Sequence, residues 1–419
     1  MYYCLHNHCK LVKGALRAAI YDLKTGKVHS INAGAFQLLT ACQDNKIEDL
    51  WDITHPDNLT YVEFLNTLTT KDLGTFYDSK PTFSVEADLP APPIKLDFLW
   101  LELTSLCNSK CLHCYAECGP SHLVPEEVPH ARWLELISEA KNAGATAIQF
   151  IGGEPLLYSA WQELVMKAHQ LNYECIEIFT NGTLIDDECI AFFKQYNVSI
   201  ATTLYATTPE THDKISLHPN SFNKTMTAIR KIIAANIPLR IASIIMKDNE
   251  HEVENILKLY AELGMPDAVP DVVRPTGRGD DHRLLPLHYR KPSIKPPFYI
   301  DEDSFIETHH HHRCLAGKLA ITATGDVIPC IFARNQLCGN ILNNSLEDIL
   351  NNGSLHQCWH TTKDCIHKCS ACEYRYACSD CRPLAQGSDP CKDWLASPQD
   401  CSYDPYTGKW LLPPTPTNP

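Results

Sequence analysis

The sequence predicts an α/β fold: an open (β/α)6 partial barrel, with a small α+β unit before it and a cysteine-rich unit after it. Three observations carry that reading. Strand-like and helix-like runs alternate strictly between residues 96 and 274, the pattern of a parallel sheet with helices outside it. Proline-rich stretches bracket this region at both ends. Eleven of the 20 cysteines fall between Cys314 and Cys401 and four between Cys107 and Cys118, a clustering that suits metal sites better than a disulfide framework.

The elements follow in order. In residues 1–88, LRAAIYDL and KVHSI read as short strands joined by the turn Lys24-Thr25-Gly26-Lys27, and AGAFQLLTAC has the apolar spacing of a helix. Such a unit is either a small structural domain or a docking module, whose sheet edge accepts an extended peptide as an added strand. Pro90-Ala91-Pro92-Pro93 reads as a stiff linker. Across 94–285, DFLWLEL, TAIQFI, ECIEIFT, VSIATTL, LRIASIIM and AVPDVV are the strands. HARWLELISEAKNAGA is an amphipathic helix with Trp133, Leu136, Ile137 and Ala140 on one face. SAWQELVMKAHQ, DDECIAFFKQY, SFNKTMTAIRKIIAA and EHEVENILKLYAEL supply the other helices. Six units are too few for a closed eight-stranded barrel, and ligands of such sheets sit at the carboxyl ends of the strands. Residues 286–305, with Pro286 to Pro297, form a bridge. In 306–411 apolar runs are few, so metal ligation is expected to supply much of the folding energy. Residues 412–419 are a tail.

Composition narrows the function. A chain of 419 residues holds two to four domains. A net charge of −14 argues against nucleic acid as a partner. No apolar run approaches the roughly 18 residues that cross a bilayer, so no membrane partner is expected. MYYCLHNHCK lacks the marks of a signal peptide. A reducing, cytoplasmic setting is therefore expected, with thiols free for metals. No GxSxG, Walker-type loop or HExxH is present, which leaves hydrolase and kinase chemistry without residues.

The first cysteine cluster, Cys107-Asn-Ser-Lys-Cys111-Leu-His-Cys114, stands in a loop after the strand DFLWLEL. Three thiolates fit a four-iron, four-sulfur cluster with one iron open to a ligand. Zinc is the competing reading, with Cys118 as a fourth ligand. Further motifs follow in order. Gly152-Gly153-Glu154-Pro155 comes after the second strand and Thr180-Asn181-Gly182 after the third. Thr203 and Tyr205 stand near the end of the fourth, and Arg274-Pro-Thr-Gly-Arg-Gly279 closes the sixth.

This ordered set resembles the radical S-adenosylmethionine (radical SAM) superfamily. The resemblance implies a [4Fe–4S] cluster on Cys107, Cys111 and Cys114, with SAM chelating the open iron. It implies that Gly152, Gly153, Glu154 and Pro155 cradle the SAM methionine and that Thr180 and Asn181 contact its ribose. Thr203 and Arg274 are further candidates for cofactor binding. It also implies reductive cleavage of SAM to a 5′-deoxyadenosyl radical that takes hydrogen from an unactivated carbon. The glycines, lacking Cβ, let backbone approach SAM, and Glu154 offers a carboxylate to its ammonium.

The C-terminal cysteines, with CX10GX4C from Cys314 to Cys330, resemble the SPASM extension of peptide-modifying radical SAM enzymes. That implies two auxiliary [4Fe–4S] clusters, one on Cys314, Cys330 and Cys381, the other on Cys369, Cys372, Cys378 and Cys401. Two departures stand out. Cys378 and Cys381 are separated by two residues where the pattern has three, and LAGKLAIT after Cys314 offers no fourth thiol. The first auxiliary cluster then has an open iron, or Cys338 or Cys365 completes it. CEYRYACSDCRP, CSYDPYTGKW and IPCIFAR look like the grasp-with-spasm peptide maturases. By that likeness the partners are a precursor peptide with a leader, a flavodoxin- or ferredoxin-type reductant and an ATP-grasp ligase, and residues 1–88 stand where such maturases carry a leader-binding domain.

The expected function is a peptide cross-link, thioether or carbon–carbon. The alternatives are side-chain oxidation as in sulfatase maturases, epimerisation, or a non-catalytic scaffold held by zinc. Ile331, where oxidising maturases carry a basic aspartate after the cysteine matching Cys330, weighs against oxidation. Other groups are set aside. His309 to His312 reads as a solvated loop, Cys4, Cys9, His6 and His8 as core or surface residues, and Cys42, Cys175 and Cys189 as packed thiols. No role is assigned to Cys391.

Overall fold

The computed structural model describes residues 1–411 except 53–54, 56–57, 82–92, 123–126, 292–293 and 352. The linker at 90–92, part of the bridge and the tail 412–419 lie outside the described residues.

The amino-terminal unit has more strand than its sequence suggests. β1 (Tyr2–Leu5) pairs with β5 (Gly74–Tyr77), while β2 (Cys9–Lys13), β3 (Ala18–Asp22) and β4 (Val28–Ile31) form an antiparallel sheet. α1 (Ala33–Asp44), α2 (Ile47–Leu50) and α3 (Leu59–Thr70) follow β4. Asn32 caps α1 by accepting from the Ala35 amide, satisfying one of its orphan donors. Tyr3, Ile20, Leu39, Cys42 and Leu65 fill the core between sheet and helices.

In the central unit, β6 (Phe98–Glu102), β7 (Ala147–Ile151), β8 (Cys175–Phe179), β9 (Ser199–Thr203) and β10 (Leu239–Ala242) lie side by side in chain order, every pair parallel. Strand period sorts their side chains. Leu99, Leu101, Ile148, Phe150, Ile176, Ile178 and Ile200 are buried in the core on one face. Phe98, Trp100, Gln149, Ile151, Glu177, Phe179, Thr203 and Ala242 line a cavity on the other. α4 (His130–Asn142), α5 (Trp161–Gln170) and α6 (Asp187–Gln195) connect β6 to β9, and α4 buries the expected face of Trp133, Leu136, Ile137 and Ala140.

The later units depart from expectation. α7 (Pro209–Ser216), opened by a proline at its first position, adds a helix before α8 (Ser221–Ala234). The fifth strand breaks at Ser243, whose hydroxyl donates to the Leu204 carbonyl, and resumes as β11 (Ile244–Ile245). After α9 (Val253–Glu262), the expected sixth strand is the short β12 (Asp271–Val272), which pairs with β11 alone.

The carboxyl-terminal unit extends the central sheet. After α10 (Glu302–His310), β13 (Lys318–Ile321) pairs parallel with the outer edge of β6, and β14 (Asp326–Ile328) and β15 (Gly339–Asn340) continue antiparallel. Leu319, Ile321, Val327 and Ile328 join the same core as α4, as do Leu346 and Ile349 of α11 (Leu346–Leu350) and Leu355 and Trp359 of α12 (Gly353–Trp359). Burying each such side chain contributes roughly 1.5–3 kcal/mol, so apolar packing carries this half of the unit, where the sequence led to the expectation that metal ligation supplies much of the folding energy. That expectation keeps its force from 361 on, where α13 (Arg382–Ser388) and the hairpin β16 (Tyr403–Asp404) and β17 (Lys409–Trp410) are the regular elements beyond single 3-10 turns.

The histidine run is also corrected. His309 and His310 end α10, while His311 and His312 are buried. His312 Nδ1 accepts from the Cys314 and Leu315 amides, and its backbone amide donates to the Trp359 carbonyl. Cys42 is packed as expected, whereas Cys175 is exposed and Cys189 half-exposed.

Candidate active site

The cavity inside the sheet measures about 640 Å³. Cys107, Cys111, Cys114 and Cys118 stand on its rim with Gly152, Gly153, Thr180, Asn181, Thr203 and Tyr205. Arg274, Ile331 and Phe332 line it too. The strand order explains the assembly. The motifs from Cys107 to Tyr205 each follow one of four neighbouring parallel strands, so they emerge together at the same carboxyl end.

The cysteine loop is held from several sides. The Arg278 guanidinium donates to the carbonyls of Cys111 (2.9 Å) and Cys118 (2.7 Å). Arg334 donates to the buried Glu102 (2.7 Å) at the end of β6 and lies against the Tyr115 ring. Gly152 has φ +147°, and a Cβ on Gly153 would collide with the Leu106 carbonyl. These glycines are therefore demanded by close packing on the loop that carries Cys107, a reason beyond access to a ligand.

Glu154 is fully buried beneath the rim. Its carboxylate accepts from Thr180 Oγ1 (2.6 Å), the Asn181 amide (2.8 Å) and the Leu156 amide (3.1 Å). Burial raises it to about 6, against those three bonds. Pro155 opens the single 3-10 turn that follows. Asn181 in turn donates to Asn108 (2.7 Å), a residue of the cysteine loop that sequence reasoning passed over. Thr180, Asn181 and Glu154 thus form one hydrogen-bonded unit with the loop.

The thiols fit a cluster. Burial pushes Cys107 up to about 12 and Cys111 up to about 11. Cys114 is held low, first by the Cys118 thiol beside it and then, against burial, by the Arg278 charge. Cys107 and Cys111, raised by burial, keep their protons unless a cation replaces them, which is what coordinated iron does.

Arg274 faces the other side of the cavity. Its guanidinium lies 2.8 Å from Cys381 Sγ and 2.6 Å from Asp271, and 4.4 Å above the Phe332 ring. Cys314, Cys330 and Cys381 lie within electrostatic reach of one another and of Arg274. Cys338 packs against Cys358 in the hydrophobic core, and Cys365 is exposed. Cys369, Cys372, Cys378 and Cys401 make a separate group, with Lys363 beside Cys369 and Cys378. Between the two groups lies the buried Asp380, 2.6 Å from Lys363 Nζ and 3.5 Å from His312 Nε2, and paired with Arg382. Burial alone would raise the Asp380 carboxyl, but His312, Lys363 and Arg382 hold it well below the usual carboxylate range. No sequence signal marked this network.

Residues 101–260 match the model of the radical SAM superfamily, and residues 314–373 match the iron–sulfur cluster-binding SPASM domain. The chain is a radical SAM enzyme with a SPASM domain. The two domains imply the [4Fe–4S] cluster, the auxiliary clusters and SAM as its cofactors. This radical SAM enzyme is 29% identical over 283 residues to the sporulation killing factor maturation protein SkfB of Bacillus subtilis, covering 63% of this chain and 67% of SkfB. It is 25% identical over 342 residues to the AdoMet-dependent heme synthase of Methanosarcina barkeri, covering 73% of this chain and 95% of the synthase. Its fold resembles that of Streptococcus suis SuiB bound to S-adenosylmethionine, with a TM-score of 0.58 at 14% identity over 95% of this chain and 99% of SuiB. No described helix is long and apolar enough to cross a membrane.

Proposed function

We propose that this radical SAM enzyme modifies a ribosomally made precursor peptide, closing a thioether or carbon–carbon cross-link on it. One observation carries the reading. The cysteine loop and the Arg274, Ile331 and Phe332 surface beside Cys330 and Cys381 line a single cavity. A substrate there touches both the site of hydrogen removal and the site that takes up an electron. The relatives support the peptide. SkfB is named for the maturation of a killing factor, and AlbA of Bacillus subtilis for the biosynthesis of the bacteriocin subtilosin.

In this reading Cys107, Cys111 and Cys114 hold the cluster, Gly152 to Pro155 with Thr180 and Asn181 hold SAM, and the seven C-terminal cysteines named above hold the auxiliary clusters. When bound, these groups supply hydrogen abstraction from carbon and an electron acceptor. The protein supplies position and dryness. Phe98, Trp100, Phe179 and Phe332 give the cavity an apolar wall that limits water around a reactive substrate. Glu154 fixes the Thr180–Asn181 turn. Ile331 offers no proton acceptor, which favours cross-linking over oxidation of an alcohol.

The amino-terminal unit serves, in the same reading, to hold the leader. It docks on the loop between Cys372 and Cys378. Tyr21 donates to the Glu373 carbonyl (2.9 Å), Arg375 donates to the Lys13 carbonyl (2.7 Å), and Tyr21, Phe305 and Tyr376 pack together.

The test is anaerobic reconstitution with SAM, dithionite and the peptide encoded by a short reading frame beside the gene. 5′-Deoxyadenosine should appear above a Cys107→Ala control, and the peptide should become two mass units lighter. An unchanged mass with altered stereochemistry would replace cross-linking by epimerisation. No 5′-deoxyadenosine above the control would overturn the reading.

A further inference from the structure

A second group of potential ligands lies in the amino-terminal unit, away from the cavity. The tight turn His6-Asn7-His8-Cys9, closed by the Cys9 amide on the His6 carbonyl (2.8 Å), leads into β2. Cys9 is the cross-strand partner of Asp22 at the end of β3. Both are buried, Cys9 completely. His8, Cys9 and Asp22 bring one ligand atom each to within 4.8 Å of the others. His8 Nε2 lies 3.7 Å from Asp22 Oδ1 and 3.1 Å from the Asp72 carbonyl oxygen, which belongs to the turn between α3 and β5.

From this geometry we infer that His8, Cys9 and Asp22 form a zinc site, with the Asp72 carbonyl closing the shell. Ligands about 2.0–2.3 Å from a tetrahedral zinc stand roughly 3.3–3.8 Å apart; His8 Nε2 and Asp22 Oδ1 stand 3.7 Å apart, and all three ligand atoms lie within 4.8 Å of one another. One thiolate, one imidazole and oxygen donors are the mixture that a borderline-soft divalent ion accepts. The surroundings orient the ligands. Asp22 Oδ1 accepts from the Lys24 and Thr25 amides, and Oδ2 accepts from the Thr25 hydroxyl, which fixes the carboxylate as outer partners of metal ligands do. His6 stacks on the His8 ring at 5.4 Å.

Without a cation the arrangement is costly. The buried Cys9 thiol faces the buried Asp22 carboxylate across the β2–β3 pair. Binding releases the Cys9 thiol proton to solvent, the neutral imidazole of His8 keeps its one N–H on Nδ1, and no electron moves. The ion joins three chain segments: the β1–β2 turn with the start of β2, the end of β3 and the α3–β5 turn.

The test uses the reconstituted full-length holoenzyme, prepared from cells grown with added zinc. Metal analysis should find about one zinc per chain beside the iron, and zinc-edge X-ray absorption should show one sulfur with nitrogen and oxygen neighbours. Cys9→Ala should lower zinc about tenfold with iron unchanged. If that buried change prevents folding, the half-exposed His8→Gln must give the same loss. The inference falls if the wild type holds no zinc and binds none from a chromophoric chelator. It falls equally if zinc persists in both variants, as an adventitious ion would. Release of 5′-deoxyadenosine is independent of either outcome.

Discussion

The two cysteine regions near the cavity are built on different physics. The loop from Cys107 to Cys118 is held by the protein around it: strand ends of a parallel sheet, glycines pressed on carbonyls, and Arg278 donating to backbone oxygens. These contacts set its shape independently of iron. The stretch from Thr361 to Cys401 lacks such a frame. Few apolar side chains are buried there, and a buried charge network of Asp380, Lys363, Arg382 and His312 stands among thiols. Two cations facing one carboxylate leave an excess of positive charge, which anionic clusters would balance. The contrast teaches that one site is preformed and the other is completed by its metal.

The largest expected effect follows directly. Oxidative removal of iron under a chelator should loosen the second region and spare the first, because a structural metal contributes on the order of 10 kcal/mol of folding energy. Hydrogen exchange reads the outcome. Amides of 363–381 should lose protection, while those of β6 and β7 keep theirs. Equal loss in both regions would erase the contrast.

A smaller effect comes from the network itself. Asp380→Asn removes the carboxylate and leaves Lys363 and Arg382 buried without their partner. Breaking such a buried pair costs about 3–5 kcal/mol. The anaerobic holoenzyme should show a lower denaturant midpoint with unchanged iron at the Cys107 loop. A midpoint within error of the wild type would mean that the charges are balanced by something other than Asp380.

What the sequence made legible tracks the same divide. The Cys107 loop, Gly152 to Pro155 and Thr180 to Asn181 are contiguous motifs after successive strands: the family resemblance singled them out, and the strand–helix alternation set them at one end of the sheet. Arg274 was legible as a residue of the site, but not the side of the cavity it would face, because orientation depends on Asp271 and Cys381. The attachment of β13 to β6 left no trace, since KLAI is four residues long and its partner strand is far away in sequence. Asp380 and Lys363 stand in no motif and His312 read as part of a solvated loop, because burial of a charge is a property of the packed chain. His8, Cys9 and Asp22 escaped for the same reason: a cross-strand pairing made neighbours of residues in separate strands.

The smallest effect tests the preformed region by pH. His212 in α7 is buried, and its Nδ1 accepts from the Tyr205 amide (3.2 Å) beside the cysteine loop. Burial lowers it to about 4. A histidine depressed in the folded state takes up its proton first in the unfolded chain, near the ordinary value of about 6.5. Its contribution to stability is therefore present above about 6.5 and is lost as pH falls toward 4. Between pH 7.5 and 5.5 the loss should be about 1 kcal/mol. His212→Asn keeps an acceptor for the Tyr205 amide and removes the titration. The difference in urea midpoint between the two pH values should then shrink in the variant, measured by tryptophan fluorescence under anaerobic conditions. If wild type and variant lose stability equally on acidification, the pH response belongs to other groups, and His212 contributes only its packing to the wall behind Tyr205.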